Sequence, residues 1–92
     1  MRNSDIVKSK LFYLPIIKIP ANSQGMLEFN PVEYVSLSDG ESIVSCSLEY
    51  CRSGTEVIAT VSRLESGYRV SYQNIASAER NAQFYIRAYL IN

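Results

Sequence analysis

The 92-residue sequence has no histidine, no tryptophan and only two cysteines. Without histidine, a Ser/His/Asp or Cys/His nucleophile cannot be assembled in the usual way. Two cysteines cannot complete a four-ligand zinc site either. Cys46 and Cys51 fall in one strand-forming run. Five extended steps hold them roughly 16 Å apart, whereas a disulfide needs Cα atoms within about 7 Å. Both therefore read as reduced thiols, Cys46 in the core and Cys51 beside a turn, as suits a reducing compartment.

Concentrated charge is missing as well: nine basic and nine acidic residues give a formal net charge of zero. That balance excludes a dedicated nucleic-acid binder, which needs a cationic field. No apolar run is long enough to span a membrane. The richest one, "LFYLPIIKIP", is broken by Pro15 and Lys18 and preceded by Asp5, which also argues against an export signal. Glu28, Glu33, Glu41, Glu49, Glu56 and Glu65 follow no spacing that would set two carboxylates across a cleft. The segment "SDGE" at 38 to 41 lacks the further oxygen ligands of a calcium loop and reads as a turn. The expectation is a non-enzymatic protein with no cofactor, no metal, no signal peptide and no transmembrane segment.

What is present is β-forming sequence in a short chain. A content of 47% hydrophobic and 20% charged residues describes one compact domain. A chain of this size buries only roughly 60 to 65% of the surface that its unfolded form exposes. Disulfides, metals and oligomerisation are the usual supplements; the two cysteines could pair only through a sharp bend or between subunits, and no metal-ligand set is present, which leaves oligomerisation as the candidate.

Three triplets, "SDG" at 38 to 40, "RSG" at 52 to 54 and "ESG" at 65 to 67, end in glycine at nearly even spacing and read as hairpin tips. Between them lie "ESIVSCSLEYC", "TEVIATVSRL" and "YRVSYQNI", rich in β-branched and aromatic residues. Pairing Cys51 with Thr55 and Leu64 with Tyr68 across three-residue loops sorts these strands into two faces. One collects Val44, Cys46, Leu48, Ile58, Thr60, Leu64, Tyr68, Val70 and Tyr72, and the other is mostly polar but holds Val57 and Val61. A bulge would shift part of that assignment by one. Upstream, "LFYLPIIKIP" and "GMLEF" read as two further strands, with Pro15 and Pro20 at an edge, a bulge or a strand end. Asn30 and Pro31 then break the chain before "VEYVSL". The sequence predicts an all-β fold: a small antiparallel β-sandwich or jelly-roll of six to seven strands built on a hairpin-rich meander. Residues 1–8 form a flexible leader or the remnant of a connection, and 9–92 a single domain.

The last strand, "QFYIRAYLIN" at 83 to 92, is apolar on both sides. Phe84, Ile86, Ala88 and Leu90 suit a core, which leaves Tyr85, Arg87, Tyr89 and Ile91 as a candidate oligomer interface, since tyrosine and arginine are enriched where proteins meet. Arg63 and Arg69 fall opposite each other in the register above. Like charges across a ladder repel, so the pair needs solvent, a carboxylate such as Glu65, or an anionic ligand. Tyr68 and Tyr72 belong to the core face, whereas Tyr34 and Tyr50 lie nearer loops and are candidate stacking surfaces for a sugar ring.

The layout "IKIPANSQGMLEF" at 17 to 29 followed by "GYRVSYQNIASAERNAQFYIRAYLI" at 67 to 91 resembles the C-terminal β-sandwich domains of bacteriophage tail fibres and related receptor-binding virion proteins. The resemblance is carried by Ala21, Asn22 and Ser23, then Gly67, Tyr68 and Val70, then Asn74, and finally Phe84 to Ile91. It covers most of the chain with short motifs of generic β-residues. It implies a homotrimer, favoured over a dimer, made in a host cytoplasm and built into a virion as an attachment or assembly module. Its partners would be other virion proteins or a cell-surface saccharide. The absence of a fibre shaft and of tryptophan sets the assembly role ahead of the saccharide role. The alternatives are a free-standing carbohydrate-binding lectin and an adaptor that pairs its sheet edge with a strand of another protein.

Overall fold

A computed structural model describes residues 8–52 and 56–92. Within these residues, seven strands form two antiparallel sheets: β1 (Lys8–Tyr13), β2 (Ile17–Ile19), β3 (Ser23–Phe29), β4 (Ser42–Arg52), β5 (Val57–Leu64), β6 (Gly67–Asn74) and β7 (Arg80–Ile91). Six residues of the expected leader, Arg2 to Val7, and Met1 lie outside the described residues, and β1 takes in Lys8. The proposed pairing of Cys51 with Thr55 also falls outside them. Among the described residues, no helix is long and apolar enough to cross a membrane.

β7 is the spine of the larger sheet. Along one edge it pairs with β1 and then β2, and along the other with β4. The break between β1 and β2 falls at Pro15, which has no N–H for the ladder, and Pro20 closes β2. The smaller sheet runs β3-β6-β5. The two pack face to face around Ala82, Phe84, Ile86, Ala88 and Leu90 of β7, all fully buried, against Tyr68 and Val70 of β6 and Phe29 of β3. Burying each of Phe84, Ile86 and Leu90 contributes about 1.5 to 3 kcal/mol. Strict alternation along β7 makes this arrangement possible.

Several expectations need correction. Leu64 pairs with Gly67, not Tyr68, so the β5–β6 loop holds two residues, Glu65 and Ser66. Gly67 opens β6 at φ +154, where a Cβ would lie 2.9 Å from the Phe29 carbonyl oxygen. The one-residue change turns β5 over: Val57, Ala59 and Val61 pack on the core while Ile58 is exposed. Arg63 therefore faces Tyr68, and Arg69 faces Ser62 and Glu28; the two arginines are not opposite each other. In β4, register shifts between Ile43 and Ser45 and between Leu48 and Tyr50 leave Val44 outside the core. After the break at Asn30 and Pro31, "VEYVSL" forms no strand. Asn30 caps a single 3-10 turn over Pro31–Glu33, its Oδ1 accepting the Val32 N–H at 3.3 Å. The turn at 38 to 40 forms, with Gly40 at φ +83, but joins a loop to β4 and is not a hairpin tip.

That loop is strapped to β1. Lys10 Nζ donates to the Ser36 carbonyl at 2.6 Å, and Lys8 Nζ lies 3.6 Å from the Glu41 carboxylate, whose side chain is only 4% exposed. At the opposite end, the buried Asn74 joins three segments. Its Nδ2 donates to the carbonyls of Ile19, Pro20 and Ala78, while its Oδ1 accepts the Ala76 N–H. Asn22, at φ 52, turns the chain between β2 and β3 and donates its N–H to the Ala76 carbonyl.

Candidate functional site

The outer face of the β1-β7-β4 sheet carries most of the exposed aromatic surface. Register sets its residues in rows across three strands: Tyr13, Tyr85 and Tyr50; Leu11, Arg87 and Ser47; Ser9, Tyr89 and Ser45. A last row pairs Ile91 with Ser42. In the first row, the Tyr50 and Tyr85 rings stack with centroids 4.4 Å apart and planes 9° apart, and Tyr13 tilts against Tyr85 at 5.6 Å. Tyr13 is 60% exposed, Tyr50 48% and Leu11 47%.

The bulge between Leu48 and Tyr50 builds this face. Regular alternation would turn Tyr50 inward two residues after the core residue Leu48; the extra residue turns it outward beside Tyr85. That extra residue, Glu49, sends its carboxylate back to Arg87. Arg87 Nε and Nη2 donate to the two Glu49 oxygens at 3.0 and 3.2 Å, and Nη1 donates to Ser9 Oγ at 3.0 Å. This fork holds the Glu49 carboxyl below and the Arg87 guanidinium above their ordinary ranges, each chiefly through the hydrogen bonds they share. Partial desolvation, followed by the neighbouring Tyr85 hydroxyl, holds the Tyr50 phenol above its ordinary range. The centre of the face thus carries charge that is already neutralised within the chain.

Tyr50 and the four β7 residues Tyr85, Arg87, Tyr89 and Ile91, assigned to separate roles from sequence, share this surface. Leu11 and Tyr13 were missed: within "KSKLFY" the outward residues are Ser9, Leu11 and Tyr13, but the run is apolar enough on both sides to hide the alternation.

The remaining candidates lie elsewhere. Tyr34 stacks on Phe12 at 5.3 Å and borders a groove of about 530 Å³ with Leu11, Tyr13, Pro15 and Glu33. Arg63 crosses the Tyr68 ring at 6.0 Å and donates to the Val44 carbonyl at 3.0 Å. It borders a cleft of about 400 Å³ whose apolar lining includes Pro31, Leu37, Ile43 and Leu64. Arg69 sits on the outer face of the smaller sheet, paired with Glu28 at 3.0 Å. Among the described residues, no group of three or more His, Cys, Asp or Glu side chains is placed to hold a metal ion.

No protein-family model, curated protein or solved structure matches the chain.

Proposed function

We propose that the chain is a non-enzymatic, self-associating β-sandwich that serves as an attachment or assembly module, with the outer face of the β1-β7-β4 sheet as the contact between copies. The observation that carries this reading is the Arg87–Glu49–Ser9 fork set among Leu11, Tyr13, Tyr50, Tyr85 and Tyr89. Desolvating an unpaired charge is costly, and here the guanidinium and carboxylate satisfy each other before any partner arrives. Tyrosine and arginine are also the residues that dominate binding energy where surfaces meet. Self-association covers the face of β7 that the small core leaves open. The loop at 30–41 and the β5–β6 tip then remain available to a surface component. A virion setting is supported by the resemblance of the 17–29 and 67–91 segments to tail-fibre sandwiches.

A second reading, a saccharide-binding protein, is favoured by the groove whose lining includes Tyr13, Tyr34 and Glu33. Sedimentation velocity at high micromolar concentration tests the first reading. The expected result is a species heavier than the 10.4 kDa chain that Tyr89→Glu returns to single-chain mass with its circular dichroism unchanged. A single-chain mass for the unaltered protein overturns it.

A further inference from the structure

We infer that two copies pack back to back through this face about a two-fold axis lying along the Leu11–Arg87–Ser47 row. The inference rests on the self-association reading and adds the symmetry and the register. A flat patch that meets itself makes an isologous, two-fold contact, whereas a ring of three needs two different patches that fit each other. The described outer face is one continuous patch, so the three-fold arrangement implied by the resemblance gives way to a pair.

Relief along the face selects the axis. The Tyr13–Tyr85–Tyr50 row stands high across all three strands, while the row two residues beyond Arg87 has short serines, Ser9 and Ser45, on either side of Tyr89. A two-fold axis along the Arg87 row reverses the strands of the second copy and lays one row over the other. Tyr13 then meets Ser9, Tyr50 meets Ser45, and Tyr85 meets Tyr89. An axis parallel to the strands would instead stack tyrosine row on tyrosine row and leave the serine rows apart. Close packing rejects that second arrangement.

The charges tolerate the same axis. Each Arg87 arrives beside its counterpart already bonded to its own Glu49 through both oxygens, so the two guanidiniums that face each other across the axis are each neutralised in advance. The area is sufficient for a weak pair. Three strands about 4.8 Å apart over the six residues of β1, and two strands over the three further residues that β7 shares with β4, at about 3.4 Å per residue, outline roughly 400 Å². Side-chain relief brings the surface removed from water toward the lower end of specific interfaces, about 600 Å² per partner. A reversible dimer that dissociates on dilution is the expected species.

A thiol on the axis faces its own counterpart, and one off the axis does not. Packed sheets lie about 10 Å apart, too far for a disulfide, so a short bis-maleimide of comparable span is the probe. Ser47→Cys, on the axis, is expected to give a covalent dimer. Ser9→Cys and Tyr13→Cys are each expected to link at the background of the unaltered chain when alone, and to link when mixed. Sedimentation of the unaltered protein accompanies the linking. A dimer with this linking pattern supports the inference. A dimer in which neither Ser47→Cys nor the mixture links overturns the register. A trimer overturns the two-fold symmetry and leaves self-association standing, whereas a monomer overturns both.

Discussion

Asn74 Nδ2 lies 3.0 Å from the carbonyl oxygen of Ile19, and this bond ties the end of β6 to the end of β2 inside the protein. The same carboxamide reaches Pro20, Ala76 and Ala78, so one fully buried polar side chain holds the β2–β3 turn and the β6–β7 loop together. Buried polar groups are costly when left without partners.

Asn74→Ala is accordingly expected to destabilise the fold by about 3 kcal/mol, because it leaves the Ala76 N–H and several carbonyls unsatisfied. Asn74→Asp keeps the acceptor but turns a negative charge toward those carbonyls. It should be at least as damaging at neutral pH and recover as the carboxyl protonates in acid. Urea denaturation of the two variants at pH 7 and pH 4 checks both expectations.

Gly67 and Gly40 separate steric from conformational cost. At Gly67 a methyl group would lie 2.9 Å from the Phe29 carbonyl oxygen, whereas at Gly40, φ +83, nothing lies within 4 Å. Gly67→Ala should cost about 2 to 3 kcal/mol and Gly40→Ala about 1 kcal/mol. Equal losses in thermal denaturation would show that the Phe29 contact carries no weight.

Stability should fall at both ends of the pH range, from two different groups. Glu41 is held below its ordinary value of 4.5 mainly by the Ser38 N–H. Its contribution is therefore present above pH 4.5 and is lost as the pH drops through the lower folded value. Glu41→Gln should flatten that acid side. Burial raises the Cys46 thiol from 9.0 to about 11, so its contribution is present below pH 9 and is lost as the pH climbs toward 11. Cys46→Ala should remove the thiol's share of the alkaline loss and leave that of the neighbouring Tyr68, whose phenol is also raised by burial and by Cys46. Denaturation midpoints across pH 3 to 11 read both sides.

The alternation of β7 was legible because nothing interrupts it: Phe84, Ile86, Ala88 and Leu90 turn inward as their spacing demands. The register of β5 is ambiguous by one residue in the sequence because "ESG" accommodates either a three-residue loop or a two-residue loop followed by a strand that opens on glycine. Only contact with Phe29 of the other sheet-edge strand distinguishes them. The two bulges of β4 leave no local mark, since Ser, Val and Glu suit bulged and regular positions alike. Of the candidate site, the β7 residues and Tyr50 were found singly. Their union on one surface with Tyr13 depends on long-range pairing of β1, which no local window contains. In the sequence Asn74 stands out only as part of a short motif, and its clamping role follows from carbonyls more than fifty residues upstream.

The position of β7 sets the order in which the molecule can form. β1, β2 and β4 have it as their ladder partner, and it follows all of them in sequence. As the chain leaves the ribosome, three nascent strands wait with unsatisfied edges until it emerges. Such distant pairing slows folding and prolongs exposure to aggregation or chaperone capture. The β3-β6-β5 sheet has no such debt and can assemble first, offering the late strand a ready apolar wall.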